Sequence, residues 1–391
     1  MAESQKGVIR LDELDMGFSE AVAKAGGEKI NLCIQCGTCS ASCPFGRITP
    51  FRIRQLIRRA QLGFRDMVLS NKDLWLCTTC YTCAHRCPRD ANPMEILIGL
   101  RSLIVEEGLV PRTLGDALEG VYKYGNPWGT SRSKRSEWAK DLKVKYVSEG
   151  EKAELLYFVC CAPSYDSRAQ EVARAMVKNL NKLAIDFSIL GNNENCCGNE
   201  IYSIGEKGLF EELVNKNLSL FDQYGIKNIV TTSPHCYNAF KNRYGRKDLE
   251  VQHYTQYFAN LIDEGKLKFS GKIEKVVTYH DPCFLGRYNN IYEEPRKIIE
   301  SIPNVKFVEL TMSRGRSLCC EGGGGRMWYD IPREWERLTE TRVKEALNVG
   351  AEIIAVACPF CLLTFDDAIK TMGIEGKIQV KDIMELVNEA L

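Results

Sequence analysis

The sequence predicts one small helical domain at the N-terminal end of the chain and two similar α/β domains after it. Three observations lead to this fold class. A four-cysteine pattern occurs twice within residues 33–88, strand-like runs alternate with helical patterns after residue 151, and a set of cysteine motifs occurs twice in that second part. Alternating strands and helices are typical of parallel βα units, and a matched internal repeat indicates two copies of one domain.

The composition excludes some classes of protein. The chain has 391 residues, 18 cysteines and a formal net charge of +1, so nucleic acid has no bulk electrostatic reason to bind it. Its first residues lack the pattern of a secretion signal, and no apolar run reaches the roughly 18 residues that a membrane helix needs. We therefore expect a cytoplasmic protein with no membrane span of its own, in which clustered reduced cysteines bind metal.

Residues 33–44 and 77–88 carry the first cysteine motif. They read CIQCGTCSASCP and CTTCYTCAHRCP, and each has the spacing C-x2-C-x2-C-x3-C-P. Bacterial ferredoxins use this run to hold a pair of 4Fe–4S clusters, with the fourth cysteine of each run binding the other cluster. The sequence therefore predicts an α-helical ferredoxin domain over residues 1–110 with two cubane clusters, one held by Cys33, Cys36, Cys39 and Cys87 and the other by Cys77, Cys80, Cys83 and Cys43. A zinc site built from CxxC pairs is the alternative, but it leaves the third and fourth cysteines of each run unexplained.

Residues 111–150 are predicted to be a linker. They are rich in glycine, serine and lysine around the stretch GNPWGTSRSKRSEW, a composition typical of connections between domains. The first α/β domain is then expected over residues 151–268 and the second over residues 269–391.

Cysteines follow the predicted strands of both α/β domains in the same order: a single cysteine, an adjacent pair, and a third motif. The step from the single cysteine to the pair is 35 residues in the first copy and 36 in the second. The carboxyl ends of parallel strands meet at one edge of a sheet, so these loops should converge. The second copy offers five thiolates, Cys283, Cys319, Cys320, Cys358 and Cys361. The first copy offers four, Cys161, Cys196, Cys197 and Cys236, with Ser233 at the remaining position.

Four glycines, Gly322 to Gly325, follow the second cysteine pair in the stretch CCEGGGGRMW. Glycine runs often cradle phosphate, but the lysine and the hydroxyl residue of a phosphate loop do not follow here. We interpret the run as slim backbone that passes close to a cluster, with its N–H groups turned towards inorganic sulfur. A flexible turn is the alternative.

This ordered set of motifs resembles the heterodisulfide reductases. The two C-terminal copies are similar to their cysteine-rich CCG domains, which also occur in the iron–sulfur subunit of glycolate oxidase. From roughly residue 30 to residue 390, the chain is similar to the D-type subunit, a natural fusion of the small ferredoxin-like subunit with the subunit that carries two CCG domains. The resemblance implies an α-helical ferredoxin domain followed by two similar α/β CCG domains as a pseudo-repeat.

The resemblance also implies cofactors and chemistry. In this family a complete five-cysteine set holds a non-cubane 4Fe–4S cluster, and a pair of clusters cleaves the disulfide between coenzyme M and coenzyme B. Carried over to this chain, it implies a catalytic non-cubane cluster at Cys283, Cys319, Cys320, Cys358 and Cys361. It implies a further 4Fe–4S cluster at Cys161, Cys196, Cys197 and Cys236.

Two residues depart from the family pattern. Ser233 stands where the first cysteine of CPxC is expected, and Glu321 stands where a glycine follows the cysteine pair. The complete set in the second copy favours an oxidoreductase subunit that acts on a disulfide or a related sulfur substrate. Ser233 favours a non-catalytic relay, because a four-thiolate site suits an ordinary cubane. Such a relay would connect a flavoprotein or quinone-linked partner with another reductase, for example a benzoyl-CoA-reductase-type or bifurcating complex.

The partners that the resemblance implies are other subunits of a redox complex. They are a flavin-containing A-type subunit, an electron-transfer flavoprotein or a membrane cytochrome b-type subunit. Through such a partner, the protein would lie peripherally at the inner face of the membrane.

Several residues lie beside the predicted ligands. Cys160 precedes Cys161 and is either a spare ligand or a buried packing residue. His85, His235 and His280 would either hydrogen-bond to cluster sulfur, move protons at a substrate, or simply pack.

Overall fold

The computed structural model describes residues 14–151, 153–330 and 334–391 of the chain. The chain divides into two compact units, residues 1–110 and residues 111–391. Residues 1–13 lie outside the described residues. The expectation that the first residues form no secretion signal rests mostly on these residues.

The first unit is helical. Its helix Pro93–Glu106 begins on a proline, which suits the first turn of a helix, and is buried along most of its length. A Cβ atom on Gly99 of this helix would lie 3.0 Å from the backbone nitrogen of Gly27, so glycine is what lets the two segments approach. The α-helices of this unit, α1 to α7, are Phe18–Val22, Thr38–Ser42, Pro44–Ile48, Ile53–Gln61, Arg65–Leu69, Thr82–His85 and Pro93–Glu106. Shorter π-helical and 3-10 segments are Ala23–Gly27, Ile30–Leu32 and Lys72–Leu76.

The second unit contains two parallel sheets, one in each repeat. The strands, β1 to β9, are Lys145–Tyr146, Leu155–Phe158, Phe187–Ile189, Asn228–Thr231, Glu250–His253, Val276–Tyr279, Lys306–Phe307, Ile353–Val356 and Gln379–Asp382. The first sheet has the order β1-β3-β2-β4-β5 and the second the order β7-β6-β8-β9. In both repeats the first strand of the doubled pattern, β2 or β6, lies between the two strands that follow it in the chain. The two sheets agree with the prediction of two similar α/β domains.

Helices connect the strands of these sheets. They are α8 to α19, at Arg112–Tyr124, Cys161–Tyr165, Ser167–Lys182, Asn199–Ile204, Lys207–Tyr224, Pro234–Asn242, Tyr254–Asp263, Gly286–Asn289, Glu293–Ser301, Leu338–Asn348, Pro359–Thr371 and Ile383–Ala390. The central strands are apolar because they are buried on both faces, as in the fully buried β8 with its sequence IIAV. One continuous hydrophobic core includes the strands and helices of both repeats.

Residues 111–150 differ from the predicted linker, because they are folded as part of the second unit. The segment starts with helix α8 and ends with strand β1, where Lys145 pairs with Ser188 of β3. Trp138, between these elements, is buried. A buried side chain of this kind anchors the segment to the second unit, although the composition of the segment is typical of a loop.

Helices α10 and α19 pack against each other and join the two repeats. Arg168 of α10 makes a bidentate ion pair with Glu385 of α19, with both N–O distances at 2.9 Å, and also donates to the carbonyl oxygen of Val380 at 3.1 Å. The two charged side chains keep 24% and 18% of their exposure. Because water only partly screens this pair, it should contribute more than an exposed ion pair does.

We expect the Arg168–Glu385 pair to stabilise the contact between the repeats. In a double-mutant cycle with Arg168→Gln and Glu385→Gln, the two changes should be non-additive, with a coupling energy of about 1–2 kcal/mol measured by denaturant unfolding. Additive effects, within about 0.5 kcal/mol, would mean that the pair adds nothing to the packing of the repeats.

Candidate metal centres

The two cysteine runs of the first unit line two separate cavities. One cavity is lined by Cys33, Cys36, Cys39 and Cys87. The other is lined by Cys43, Cys77, Cys80 and Cys83. The fourth cysteine of each run therefore faces the first three cysteines of the other run. Four thiols around one cavity are a donor set that suits a 4Fe–4S cluster.

Left-handed backbone conformations shape both cysteine loops. Gln35 and Gly37 have φ angles of +60° and +84° in the first loop, and Thr79 and Tyr81 have +50° and +67° in the second. Non-glycine residues adopt such angles rarely, and in folded proteins these outliers concentrate at functional loops. The two loops therefore share a backbone path that turns tightly around the space between the thiols.

Buried Arg101 holds the second loop in place. Its guanidinium donates to the carbonyl oxygens of Leu74 at 2.8 Å and Cys77 at 2.6 Å, and lies 4.9 Å from the ring centre of Trp75. Burial raises the pKa of the Cys77 thiol, and the charge of Arg101 opposes this rise. Arg101 thus favours the thiolate form of Cys77, which is the form that binds metal.

In the first repeat, five buried thiols meet beyond the carboxyl ends of strands β2, β3 and β4. Hydrogen bonds join them in a chain that runs Cys161–Cys196–Cys197–Cys236–Cys160. Burial raises the pKa of Cys236 well above its ordinary value. Hydrogen bonds from Cys196 and Cys236 instead lower the pKa of Cys197 to about 7. The four cysteines predicted for this repeat are thus brought together, and Cys160 joins them.

A buried ion pair positions the loop that carries Cys160. The carboxylate of Glu194 accepts the N–H groups of Val159 at 2.8 Å and Cys160 at 3.0 Å, and pairs with Arg135 at 2.7 Å. Arg135 also donates to the sulfur of Cys161 at 3.5 Å. Burial lowers the pKa of Arg135, but the charges of Cys161 and Glu194 raise it well above its ordinary value. A permanent positive charge therefore lies beside the thiols, where it offsets the charge of bound thiolates.

In the second repeat, hydrogen bonds join four buried thiols in the order Cys319–Cys320–Cys361–Cys358. The sulfur atoms of Cys361 and Cys320 are 3.2 Å apart. Cys283, the fifth predicted ligand, follows strand β6 at the same sheet edge and is half-buried. The chain of thiols shows that the cysteine pair and the CPFC motif converge as the sequence predicts.

The imidazole of His280 lies within the thiol group of the second repeat. One ligand atom each of His280, Cys320 and Cys361 lies within 4.8 Å of the others, a spacing that suits a metal ion. Hydrogen bonds from Cys319, Cys361 and His280 lower the pKa of Cys320 well below its ordinary value. The guanidinium of Arg342 lies 3.4 Å from the Nδ1 atom of this ring.

His235 of the first repeat reaches a thiol of the second repeat. Its Nδ1 atom lies 2.8 Å from Oε1 of Glu200, and its ring hydrogen-bonds to the thiol of Cys358. Burial lowers the pKa of His235, but the charge of Glu200 and the hydrogen bonds raise it to about 10. Burial likewise opposes ionisation of Cys358, yet hydrogen bonds from Cys361 and His235 lower its pKa to about 6.

Two aromatic rings of the second repeat enclose His235. The ring centres of Phe284 and Phe360 lie 4.2 Å and 4.8 Å from the centre of the imidazole. His235 itself is only 7% exposed. The hydrogen bond between the two repeats is therefore shielded from water, which makes it stronger than an exposed one.

The glycine run packs against the first repeat. Gly325 donates its N–H to Oε2 of Glu200 at 2.9 Å, and a Cβ atom at this position would lie 3.0 Å from the side chain of Ile204. A Cβ atom on Gly322 would lie 3.0 Å from Cβ of Phe360. The expectation that these N–H groups face inorganic sulfur is wrong for Gly325, whose N–H is taken by a carboxylate. Glycine is needed at Gly325 because the first repeat packs against it, and at Gly322 because Phe360 of its own repeat does.

Glu321 takes a backbone conformation that favours glycine. Its φ angle is +70°, close to the +78° of Gly198, which follows the first cysteine pair. In both copies the N–H of this residue donates to the first cysteine of the pair, Cys319 at 3.3 Å and Cys196 at 3.4 Å. The carboxylate of Glu321 accepts the N–H of Leu338 at 2.7 Å, where helix α17 begins. Glu321 therefore keeps the loop conformation and adds a helix cap.

Three residues at these sites had no clear signal in the sequence. Arg135 lies in the basic stretch that was predicted as a linker. Glu194 and Glu200 precede and follow the first cysteine pair, but neither belongs to a recognisable motif. Their partners are distant in the sequence, so only the folded chain reveals them.

Two family models match the chain. A model described as a 4Fe-4S dicluster domain matches residues 29–91, which contain both cysteine runs. A model described as a cysteine-rich domain, CCG, matches residues 155–241 and 277–366, which contain the thiol groups of the two repeats. These matches confirm a ferredoxin-like 4Fe–4S region followed by two CCG domains, and they support iron–sulfur clusters as the bound groups.

Several curated proteins are similar to the chain. It is 36% identical over 334 residues to the "Probable iron-sulfur-binding oxidoreductase FadF" of Bacillus subtilis and 33% identical over 338 residues to the "EtfAB:quinone oxidoreductase" of Syntrophomonas wolfei. Each alignment covers 83% of this chain but only 47% of the relative. The chain thus spans about half the length of these two relatives.

A third relative matches along its whole length. The chain is 32% identical over 395 residues to the D-type subunit of the dihydromethanophenazine:CoB--CoM heterodisulfide reductase of Methanosarcina barkeri, covering 93% of this chain and 94% of the relative. The chain therefore belongs to the family of D-type heterodisulfide reductase iron–sulfur proteins, as the motifs indicate. Within the residues that the structure describes, every helix is too short or too polar to cross a membrane.

Substitutions at Glu321 should separate the strain of its backbone from its role as a helix cap. Glu321→Ala removes the cap and keeps the unfavourable φ angle, so we expect a loss of about 1–2 kcal/mol of stability. Glu321→Gly removes the same cap but relieves the strain, so it should be more stable than the alanine variant by about 1 kcal/mol. Denaturant unfolding of both variants measures the difference. Equal stability of the two would contradict the assignment of strain.

Proposed function

We propose that this chain is the electron-transferring iron–sulfur subunit of a heterodisulfide-reductase-like oxidoreductase complex. Its second repeat acts on a disulfide or a related sulfur substrate. The observation that carries the proposal is the convergence of the CCEG and CPFC thiols of that repeat at one buried sheet edge, where imidazoles hydrogen-bond to Cys320 and Cys358. With Cys283, the second repeat offers five thiols, one more than the four ligands of a structural zinc site.

We propose the following ligands. In the ferredoxin domain, residues 1–110, two cubane clusters are held by Cys33, Cys36, Cys39 and Cys87 and by Cys77, Cys80, Cys83 and Cys43. In the first CCG domain, residues 151–268, a 4Fe–4S cluster is held by Cys161, Cys196, Cys197 and Cys236. In the second, residues 269–391, a non-cubane 4Fe–4S cluster is held by Cys283, Cys319, Cys320, Cys358 and Cys361. When bound, such clusters supply electrons one at a time.

Side chains around the second repeat prepare it for this chemistry. His280 and His235 hydrogen-bond to the sulfur atoms of Cys320 and Cys358 and so favour the thiolate forms. Arg342 donates to Nδ1 of His280 at 3.4 Å and so keeps that imidazole oriented. The residues thus hold and orient the sulfur ligands from two sides.

A non-catalytic relay is the second candidate function. Ser233 replaces a cysteine in the first repeat, so that repeat departs from the family's five-cysteine pattern. The name of the relative from S. wolfei, an EtfAB:quinone oxidoreductase, also fits a protein that passes electrons from a flavoprotein to quinone. In this role the chain would connect a flavoprotein or quinone-linked partner with another reductase.

We propose that a redox partner docks at the first unit. Cys36 is exposed at the rim of its cavity, and Ile34 beside it keeps 61% of its exposure. Arg54 lines the same cavity, and both Arg54 and Arg58 are exposed. An apolar side chain within a basic rim suits an acidic protein surface. The partners we propose are a flavin-containing A-type subunit, an electron-transfer flavoprotein or a membrane cytochrome b-type subunit, met in the cytoplasm or at the inner face of the membrane.

An assay on anaerobically purified protein tests the proposed catalysis. With reduced viologen as donor, the coenzyme M–coenzyme B heterodisulfide should be reduced, and Cys361→Ala should abolish turnover. The same variant should keep the spectra of the ferredoxin domain, because Cys361 lies in the other unit. If the wild-type protein gives no turnover while all its clusters remain redox-active, catalysis is ruled out for this substrate and the relay is favoured.

His235 of the first repeat hydrogen-bonds to Cys358, so removing this bond should change the redox potential of the second-repeat centre. Phenylalanine is the residue at the matching position of CPFC, Phe360. His235→Phe therefore keeps an aromatic ring but cannot donate a hydrogen bond to Cys358. Hydrogen bonds to ligand sulfur stabilise the reduced state, so the midpoint potential of the second-repeat centre should become more negative. Potentiometric titration followed by paramagnetic resonance measures this change.

Two further variants control the His235 experiment. His235→Gln keeps a side-chain donor and should restore most of the potential. His85→Phe, at an exposed position of the first unit, should leave the second-repeat signal unchanged. A second-repeat signal that is present in His235→Phe at the wild-type potential would contradict the proposed effect.

A further inference from the structure

The thiols of the two repeats are arranged in parallel ways. In the second repeat, Cys361 hydrogen-bonds to Cys320 of the pair and to Cys358. In the first repeat, Cys236 hydrogen-bonds to Cys197 of the pair and to Cys160. Cys361 and Cys236 are the last cysteines of their motifs, and Cys320 and Cys197 are the second cysteines of their pairs.

Cys160 therefore occupies the place in the first repeat that Cys358 occupies in the second. By sequence, the counterpart of Cys358 is Ser233, since SPHC aligns with CPFC. The thiol that the third motif lacks is supplied from the loop after strand β2.

The backbone of Cys160 is held in an unfavourable conformation to achieve this. Its φ and ψ angles are +80° and 160°, a region that is essentially restricted to glycine. Glu194 fixes its N–H at 3.0 Å, and Ser164 donates to its carbonyl oxygen at 2.7 Å. A residue that only filled space would give way to glycine here without loss, so the strain points to a role for the side chain.

The second repeat uses the same position differently. Cys160 directly precedes Cys161, and the residue that directly precedes Cys283 in the second repeat is Pro282. Proline has no thiol, so in that repeat the thiol comes from Cys358 of the CPFC motif. The loop after the first strand of the pattern thus provides the thiol in the first repeat, and the third motif provides it in the second.

We propose that Cys160, in place of a cysteine at position 233, supplies the fifth thiolate of the first-repeat centre. The proposal rests on the proposed function, in so far as that assigns an iron–sulfur centre to this repeat. With Cys160, the first repeat offers five thiolates, Cys160, Cys161, Cys196, Cys197 and Cys236, the same number as the second. The centre is then suited to the non-cubane type of cluster in both repeats.

Cys160→Gly tests the proposal, since it removes the thiol and relieves the backbone strain. In anaerobically purified protein, we expect about sixteen irons per chain in the wild type. The variant should lose the wild-type first-repeat signal in Mössbauer and paramagnetic spectra, because the four thiolates that remain suit an ordinary cubane. The double variant Cys160→Gly, Ser233→Cys returns the thiol through the other loop. It should regain the wild-type signal. Circular dichroism confirms that each variant is folded.

Ser233→Ala is the matched control, and it should keep the iron content and the spectra of the wild type. Loss of the first-repeat signal in Ser233→Ala would overturn the proposal, because the serine oxygen would then be the ligand. The proposal is also overturned if Cys160→Gly keeps the wild-type signal, or if the double variant fails to regain it. These spectra do not depend on turnover, so a failed heterodisulfide assay with the expected spectra would reject the catalytic role alone.

Discussion

Parallel strand order decides where the thiols of the second unit lie. Each cysteine loop follows the carboxyl end of a strand, and the central strand of each sheet pairs with the next two strands of its repeat. Three loops therefore meet at one edge, although they are separated by more than thirty residues in the chain. Without this topology, the single cysteine, the pair and the third motif of each repeat would have no reason to converge.

Buried charged side chains offset the repulsion between the thiolates that converge at these sheet edges. Grouped thiolates repel one another in a medium of low polarity, and unpaired buried ions are costly. In the first repeat Arg135 lies beside Cys161 and is itself paired with Glu194. Between the repeats, Glu200 accepts hydrogen bonds from His235 and from the backbone of Gly325. These buried groups tie the loops to each other, so the two repeats form one structural unit.

The sequence predicted those features that depend on local spacing. The two C-x2-C-x2-C-x3-C-P runs and the doubled set of C, CC and CPxC motifs indicated the family, and the comparisons confirm it. The proposed ligand sets remain predictions. The linker was predicted from composition alone, whereas buried side chains such as Trp138 draw the segment into the second unit.

The features that the sequence did not predict depend on contacts between distant residues or on backbone conformation. The contact between His235 and Cys358 joins residues of different repeats, and no spacing rule reaches that far. The position of the Cys160 side chain follows from one unusual φ angle, which a cysteine gives no reason to expect. Glu321 departs from the glycine of the family pattern, and its cap on helix α17 becomes visible only in the folded chain.

The central claim is that each repeat holds its own iron–sulfur centre within its converged thiol loops. Anomalous diffraction at the iron edge, from crystals grown anaerobically, tests it most directly. Our account predicts iron peaks in four places, two beside the cysteine runs of the first unit and one beside the thiols of each repeat. A repeat with no iron peak, or with a peak at the zinc edge only, would contradict it.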